Sequence, residues 1–171
     1  LNIKLVLSVG DMVNTCTPEQ MAVISEASAI IDGVVPFMPL MGNHDYPSYG
    51  RDTLLWNEYF PYAKYSKLDC FGGAYEEGRM DNYYYLMNIN GSDYMFMGLE
   101  LAVRPAVAKW ANEVISAHPN HKVIIVNHAY MDANFGELML PGESGCPTNY
   151  KTDDGMSAVA SLIEATILRQ R

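Results

Sequence analysis

Val34-Val35-Pro36-Phe37-Met38-Pro39-Leu40-Met41-Gly42-Asn43-His44-Asp45 is an apolar run, Val34 to Met41, that stops abruptly at a small residue and three polar ones. Pro36 and Pro39 cannot donate to a strand ladder, so the run predicts a strand that is short or lies at an edge. Apolar residues on both of its faces predict burial in an α/β layer. Its C-terminal tip then presents Asn43, His44 and Asp45 together, and the carboxyl ends of strands are where α/β folds gather their ligand sites.

Upstream the same design occurs once before. Leu5 to Val9 is apolar and ends in Gly10-Asp11, which predicts a buried strand carrying Asp11 at its tip. Between the two strands, Thr17 as N-cap, Pro18 at the first helical position and Gln20 three residues after the cap predict a helix start with a capping box. Met21, Ile24, Ala27, Ile30 and Ile31 follow at helical spacing, and Gly33 ends the helix.

Downstream, residues 46 to 82 are rich in Tyr, Gly, Asp and Pro and predict a long surface excursion with a short helix around Arg51 to Tyr59. Tyr83 to Ile89 and Tyr94 to Leu99, separated by Asn90-Gly91-Ser92-Asp93, predict a β-hairpin. The tyrosines 83, 84 and 85 are expected to alternate between core and surface. Pro105 to Ala117 predicts an amphipathic helix through Val107, Trp110, Ala111, Val114 and Ile115. Val123 to Val126 predicts a third buried strand, ending at Asn127-His128. A loop at 129 to 154 and a last helix from Gly155 to Leu168 complete the reading.

Bulk properties narrow the function classes. The 171 residues, 49% hydrophobic and 18% charged, suffice to bury about two-thirds of the unfolded surface in one core, and fit no disordered or fibrous class. A formal charge of -9 argues against a surface that binds nucleic acid by neutralising phosphates. It leaves phosphate-ester chemistry open, because bound cations reverse the local field. Cys16, Cys70 and Cys146 share no CxxC spacing and suggest neither a zinc knuckle nor a paired disulfide framework. The apolar segments are too short for a membrane span. Leu1 in place of Met suggests a processed or truncated product, so the compartment, cytoplasmic or secreted, stays open.

Three strand tips therefore offer a carboxylate (Asp11), an amide oxygen (Asn43) and an imidazole (His128), a donor set suited to hard or borderline divalent cations. Each also has an ordinary reading: Asp11 as a loop cap, Asn43-His44-Asp45 as a polar turn, His128 as a core histidine. Glu100 reads as a loop anchor rather than a ligand, Cys16 as a small buried residue, and the methionines as core filler. Tyr46 and Tyr130, next to site residues, are candidates for lining a substrate pocket.

Gly10-Asp11-Met12-Val13-Asn14, Gly42-Asn43-His44-Asp45-Tyr46 and the isolated His128 after a hydrophobic strand resemble, in order and spacing, the GDxVN, GNHD and single-His motifs of the calcineurin-like metallophosphoesterases. Gly98-Leu99-Glu100, Trp110-Ala111 and His128-Ala129-Tyr130 resemble a bacterial branch of that family, and the similarity runs over essentially the whole chain. The resemblance implies an α/β sandwich of mixed β-sheets flanked by helices. It further implies a metal-dependent phosphoric ester hydrolase, acting on phosphomonoesters or phosphodiesters through a hydroxide activated by two metal ions (Mn, Fe or Zn).

Carried over by position, Asp11 bridges both metals, Asn43 and His128 bind the second, and His44 stabilises or protonates the leaving oxygen. Asp45 is expected to orient His44 and keep it protonated near neutral pH. The family's upstream Asp-x-His and its Gly-His-x-His after the single His have no counterpart here, since His118-Pro119-Asn120-His121 lacks that form. Residues 1–171 are accordingly expected to be a partial domain, truncated at both ends, with the missing motifs on either side. Such a fragment would hold one metal weakly or none and be weak or inactive. Rival expectations are a non-catalytic interaction domain on the same scaffold, and a metal or redox protein using the three cysteines.

Overall fold

The structure is a computed structural model that describes residues 2–47 and 51–129; Tyr130, Cys146, the rest of the 129 to 154 loop after Ala129 and the helix expected at 155–168 lie outside the described residues. Two sheets form the frame. Strands β1 (Val6–Leu7) and β2 (Phe37–Met38) pair in parallel, connected by helix α1 (Pro18–Ala29). The second sheet has the order β3-β4-β5-β6, from β3 (Phe71–Ala74), β4 (Tyr83–Ile89), β5 (Ser92–Gly98) and β6 (Lys122–Val126). Helix α4 (Pro105–Ala117) makes the crossover between the parallel β5 and β6, and two short helices, α2 (Leu54–Tyr59) and α3 (Tyr62–Tyr65), precede β3. This is the mixed α/β architecture expected from the sequence.

The pairing of β1 with β2 is shorter than the apolar runs suggested. Val6 N–H donates to Pro36 O at 3.0 Å and Ser8 N–H to Met38 O at 2.9 Å, and there the ladder ends, with two residues of each strand paired. The hairpin forms with full register from Tyr83 opposite Gly98 to Ile89 opposite Ser92. Its turn is only Asn90-Gly91, not four residues. Both have positive φ, 52° and 81°, the conformation that matches the right-handed twist of the flanking strands.

β4 carries two cores rather than one core and a surface. Tyr83 and Tyr85 are fully buried and point toward the first sheet, where their hydroxyls donate to Pro39 O at 2.5 Å and Phe37 O at 2.9 Å. Each ring contributes on the order of 2–3 kcal/mol by burial, and each hydroxyl keeps a partner, so little of that is lost to desolvation. Burial pushes both phenols well above the ordinary tyrosine range. Tyr84 and Leu86 face the other way and join Met95, Met97, Val107, Ala111 and Ile115 beneath α4. The four-stranded sheet is thus covered on both faces. Met21, Met38, Met41, Met80, Met95 and Met97 are buried, as filler should be.

The segment 46 to 82 departs from expectation. Trp56, Phe60, Tyr65 and Met80 are buried there, and the rings of Trp56 and Phe60 pack at a tilt of 35° with centroids 4.4 Å apart. Its strand, Phe71-Gly72-Gly73-Ala74, carries glycines because the ring of Tyr84 lies across it. A Cβ on Gly72 would overlap Cε2 of Tyr84 and come 2.5 Å from Cδ2. Strand formation here depends on a neighbour's side chain, a tertiary effect that overrides the low strand propensity of glycine.

Candidate metal centre

The tips of β1, β2 and β6 reach one rim. After β1 the chain passes through Gly10 (φ 94°) and Asp11 (φ 52°), two successive left-handed residues that turn it sharply. Asp11, lacking glycine's freedom, holds a conformation that the surroundings must enforce. After β2, Gly42 leads into a single turn of 3-10 helix, Asn43–Asp45. Gly10 and Gly42 pack against each other: a Cβ on Gly10 would lie 2.7 Å from the Gly42 Cα and 2.6 Å from His128 Nδ1. A Cβ on Gly42 would meet the Asp11 carboxylate and backbone N and come 2.8 Å from His128 Cε1. Only glycine permits this approach of two strand tips.

Asp11, Asn43 and His128 meet there. His128 Nε2 is 3.1 Å from Asn43 Oδ1 and 3.4 Å from Asp11 Oδ2. The other oxygen of Asp11, Oδ1, accepts the His44 N–H at 2.9 Å. His128 Nδ1 lies 2.8 Å from Val9 O. A carbonyl oxygen only accepts, so Nδ1 carries the hydrogen and donates it. In neutral imidazole Nε2 then presents a lone pair to two oxygens that are themselves acceptors. Three lone pairs facing one another at such separations repel unless a cation, or a proton on Nε2, sits among them. The donor types suit a divalent cation, and the backbone carbonyl behind the imidazole is the support a ligating histidine generally has. Among the described residues no group of three or more His, Cys, Asp or Glu gathers to hold a metal; the third donor here is the Asn43 amide oxygen.

Asp45 does not orient His44. It is 1% exposed and accepts three backbone hydrogen bonds, from Gly42 N (2.7 Å), Val13 N (3.1 Å) and Met12 N (3.2 Å). Its carboxylate therefore ties the β1 tip to the β2 tip. Burial pushes its carboxyl above the usual carboxylate range, against the three N–H groups that favour the charged form. The group beside His44 is a backbone carbonyl: His44 Nδ1 lies 2.6 Å from Asn14 O. That carbonyl accepts the Nδ1 hydrogen, and the exposed imidazole is left with Nε2 free to act.

Gln20 also differs from expectation. Thr17 Oγ1 accepts the Gln20 N–H at 3.4 Å, one half of a capping box, but Gln20 Oε1 accepts from Asn14 N and Thr15 N at 3.0 Å each. The first turn of α1 thus fixes the Asn14 loop that holds His44. A glutamine three residues after an N-cap signals an acceptor reaching back; which N–H it reaches is set by the loop's fold.

Cys16 and Cys70 are half-buried, unpaired thiols, and burial raises both above the ordinary cysteine range, which lowers their reactivity. Glu100 is an anchor, 3% exposed, accepting from Asn82 Nδ2 (3.2 Å) and from Arg104 Nε (2.9 Å) and Nη2 (3.0 Å). Among the described residues no helix is long and apolar enough to cross a membrane.

The uncharacterized protein YvnB of Bacillus subtilis (strain 168) is 28% identical over 133 residues, which cover 77% of this chain and 10% of YvnB. The chain thus spans about a tenth of the relative it matches. The family model described as calcineurin-like phosphoesterase matches residues 1–158, a span that takes in all three strand tips and both flanking helices. By that match the chain belongs to the calcineurin-like phosphoesterase family.

Proposed function

We propose that this chain contributes Asp11, Asn43 and His128 to a dinuclear metal centre that hydrolyses phosphate monoesters or diesters, with His44 delivering a proton to the departing oxygen. Family membership carries phosphoester hydrolysis in general; the assignment to these residues is supported above all by the meeting of Asn43 Oδ1 and Asp11 Oδ2 with Nε2 of His128 at 3.1 and 3.4 Å. When bound, divalent cations such as Mn, Fe or Zn supply positive charge to the phosphoryl oxygens and acidify a water molecule.

Asp11 holds the centre with one oxygen and the His44 backbone with the other, so the proton donor and the cation site share one carboxylate. Asn14 O fixes the tilt and tautomer of His44, and Nε2 is the atom that gives up the proton as the ester oxygen departs. Asp45 keeps the two tips in register and touches neither substrate nor cation. Gly10 and Gly42 let the tips close.

Manganese binding followed by electron paramagnetic resonance, together with manganese-dependent hydrolysis of p-nitrophenyl phosphate, tests the assignment in the full-length protein. Asn43→Ala should lose both. His44→Ala should keep manganese binding and lower kcat about 100-fold or more, the usual contribution of a general acid. Turnover unchanged in both variants would refute it.

A further inference from the structure

Every arginine among the described residues, Arg51, Arg79 and Arg104, lines one polar pocket of about 200 Å³, together with Tyr46, Thr53, Glu76, Asp81 and Glu100. The whole chain has only five arginines and a formal charge of -9, so this gathering runs against the composition. Two of its lining residues are tied to the segments that carry the strand tips. Tyr46 follows Asp45 directly, and Glu100 O accepts from Asn127 Nδ2 at 2.7 Å, beside His128. Its lining thus includes residues just past the carboxyl ends of β2 and β5, on the side of the sheet where substrates of α/β folds lie.

We propose that this pocket binds a second oxyanion, a carboxylate or phosphate carried by the substrate away from its scissile phosphate. The charges are arranged in depth. Side chains of Arg51, Arg79 and Arg104 are 21%, 34% and 33% exposed, whereas those of Glu100 and Asp81 are 4% and 9% exposed. The guanidinium groups thus form the accessible wall and the two carboxylates lie behind, fixing them. Glu76, 45% exposed, is the acidic group at the mouth.

Glu100 takes Arg104 through Nε and Nη2, and Arg79 uses Nε toward Asp81 and Nη2 toward Thr53 Oγ1. Among the described residues those bonds leave Nη1 of each out of the network. Arg51 is clamped by the carbonyls of Leu101 and Ala102 and by Glu100. Fixed planar forks with N–H groups to spare are what recognise the two oxygens of a carboxylate or phosphate, and the flat guanidinium loses little entropy on binding. In a protein of net negative charge, a docking point for a second anion also offsets long-range repulsion of a doubly charged substrate.

This inference rests on the phosphoesterase reading for the substrate's other end, so its test includes a part that needs no turnover. Chelator-treated, metal-free protein is titrated calorimetrically with sodium glycerate and with inorganic phosphate. Binding of either, weakened about tenfold in Arg79→Gln and only partly restored in Arg79→Lys, supports the pocket; which anion binds tells carboxylate from phosphate. Asp81 keeps Thr53 Oγ1 and Asn57 Nδ2 as donors in these variants, and thermal melts check that they fold.

With manganese supplied to the full-length protein, 3-phosphoglycerate or 2,3-bisphosphoglycerate should exceed glycerol 3-phosphate in kcat/KM by about tenfold, through KM, and Arg79→Gln should collapse the ratio. Anion binding without any turnover by the full-length protein overturns the hydrolase reading and leaves the pocket standing. Absence of anion binding in the metal-free wild type, or equal binding in wild type and Arg79→Gln, overturns the pocket.

Discussion

Replacing Asp45 by alanine removes one acceptor group and strands three backbone donors at once. Gly42 N and Val13 N are buried and Met12 N is partly buried, at 2.7, 3.1 and 3.2 Å from the carboxylate. A buried N–H without a partner costs about 1–3 kcal/mol, and water can satisfy the third in part. Relief from burying a charged carboxylate returns some of this, since burial opposes its ionisation. The net expected loss is about 3–4 kcal/mol, a large share of the roughly 5–15 kcal/mol by which domains are stable. Urea unfolding followed by the fluorescence of Trp56, which is fully buried, measures it. Asp45→Asn, which keeps one oxygen but turns an amide N–H toward donors, should lose about 2 kcal/mol. A loss below about 1 kcal/mol in Asp45→Ala would show that the two tips hold each other without this carboxylate.

Gly42→Ala should reduce manganese affinity and stability together, because its Cβ would meet the Asp11 carboxylate and come 2.8 Å from His128 Cε1; Gly33→Ala, at φ 73° with nothing within 4 Å, should cost only about 1 kcal/mol of backbone strain and leave manganese binding alone. Equal effects in calorimetry and thermal melts would contradict the packing of the two tips. Gly72→Ala should destabilise by about 2–3 kcal/mol in the native chain and by under about 1 kcal/mol in a Tyr84→Ala background, a coupling that a double-mutant cycle reads directly. Additive losses would mean that the Tyr84 ring does not lie over the β3 backbone.

The parts of this fold that were legible in the sequence are those whose signal is local. Pro105 at a first helical position and the spacing of Val107, Ala111 and Ile115 give α4 its observed bounds, and the aromatic runs around Asn90-Gly91 give the hairpin. The three strand tips were legible because each apolar run stops abruptly at polar residues, two of them through a glycine. What was not legible depends on partners distant in the chain. Asp45 sits beside His44 in sequence, which suggested a pair, yet its donors come from residues 12 and 13. Gln20 reaches loop amides rather than its own cap. Glycines 72 and 73 mark a strand only once Tyr84 is known to cover them.

The bond between His128 and the carbonyl of Val9 closes a loop of 119 residues, and the contact with Asn43 spans 85. Asp11 and the Asn43 turn, by contrast, lie within one early βαβ unit and can meet while synthesis is still under way. Contacts of such separation form late, because chain entropy must be spent before they return anything. A nascent chain at the ribosome would thus hold an open half-cradle of oxygens, with weak grip on any ion, until the hairpin, α4 and β6 have folded behind it. On the proposed assignment of the cation site, capture follows completed folding rather than nucleating it.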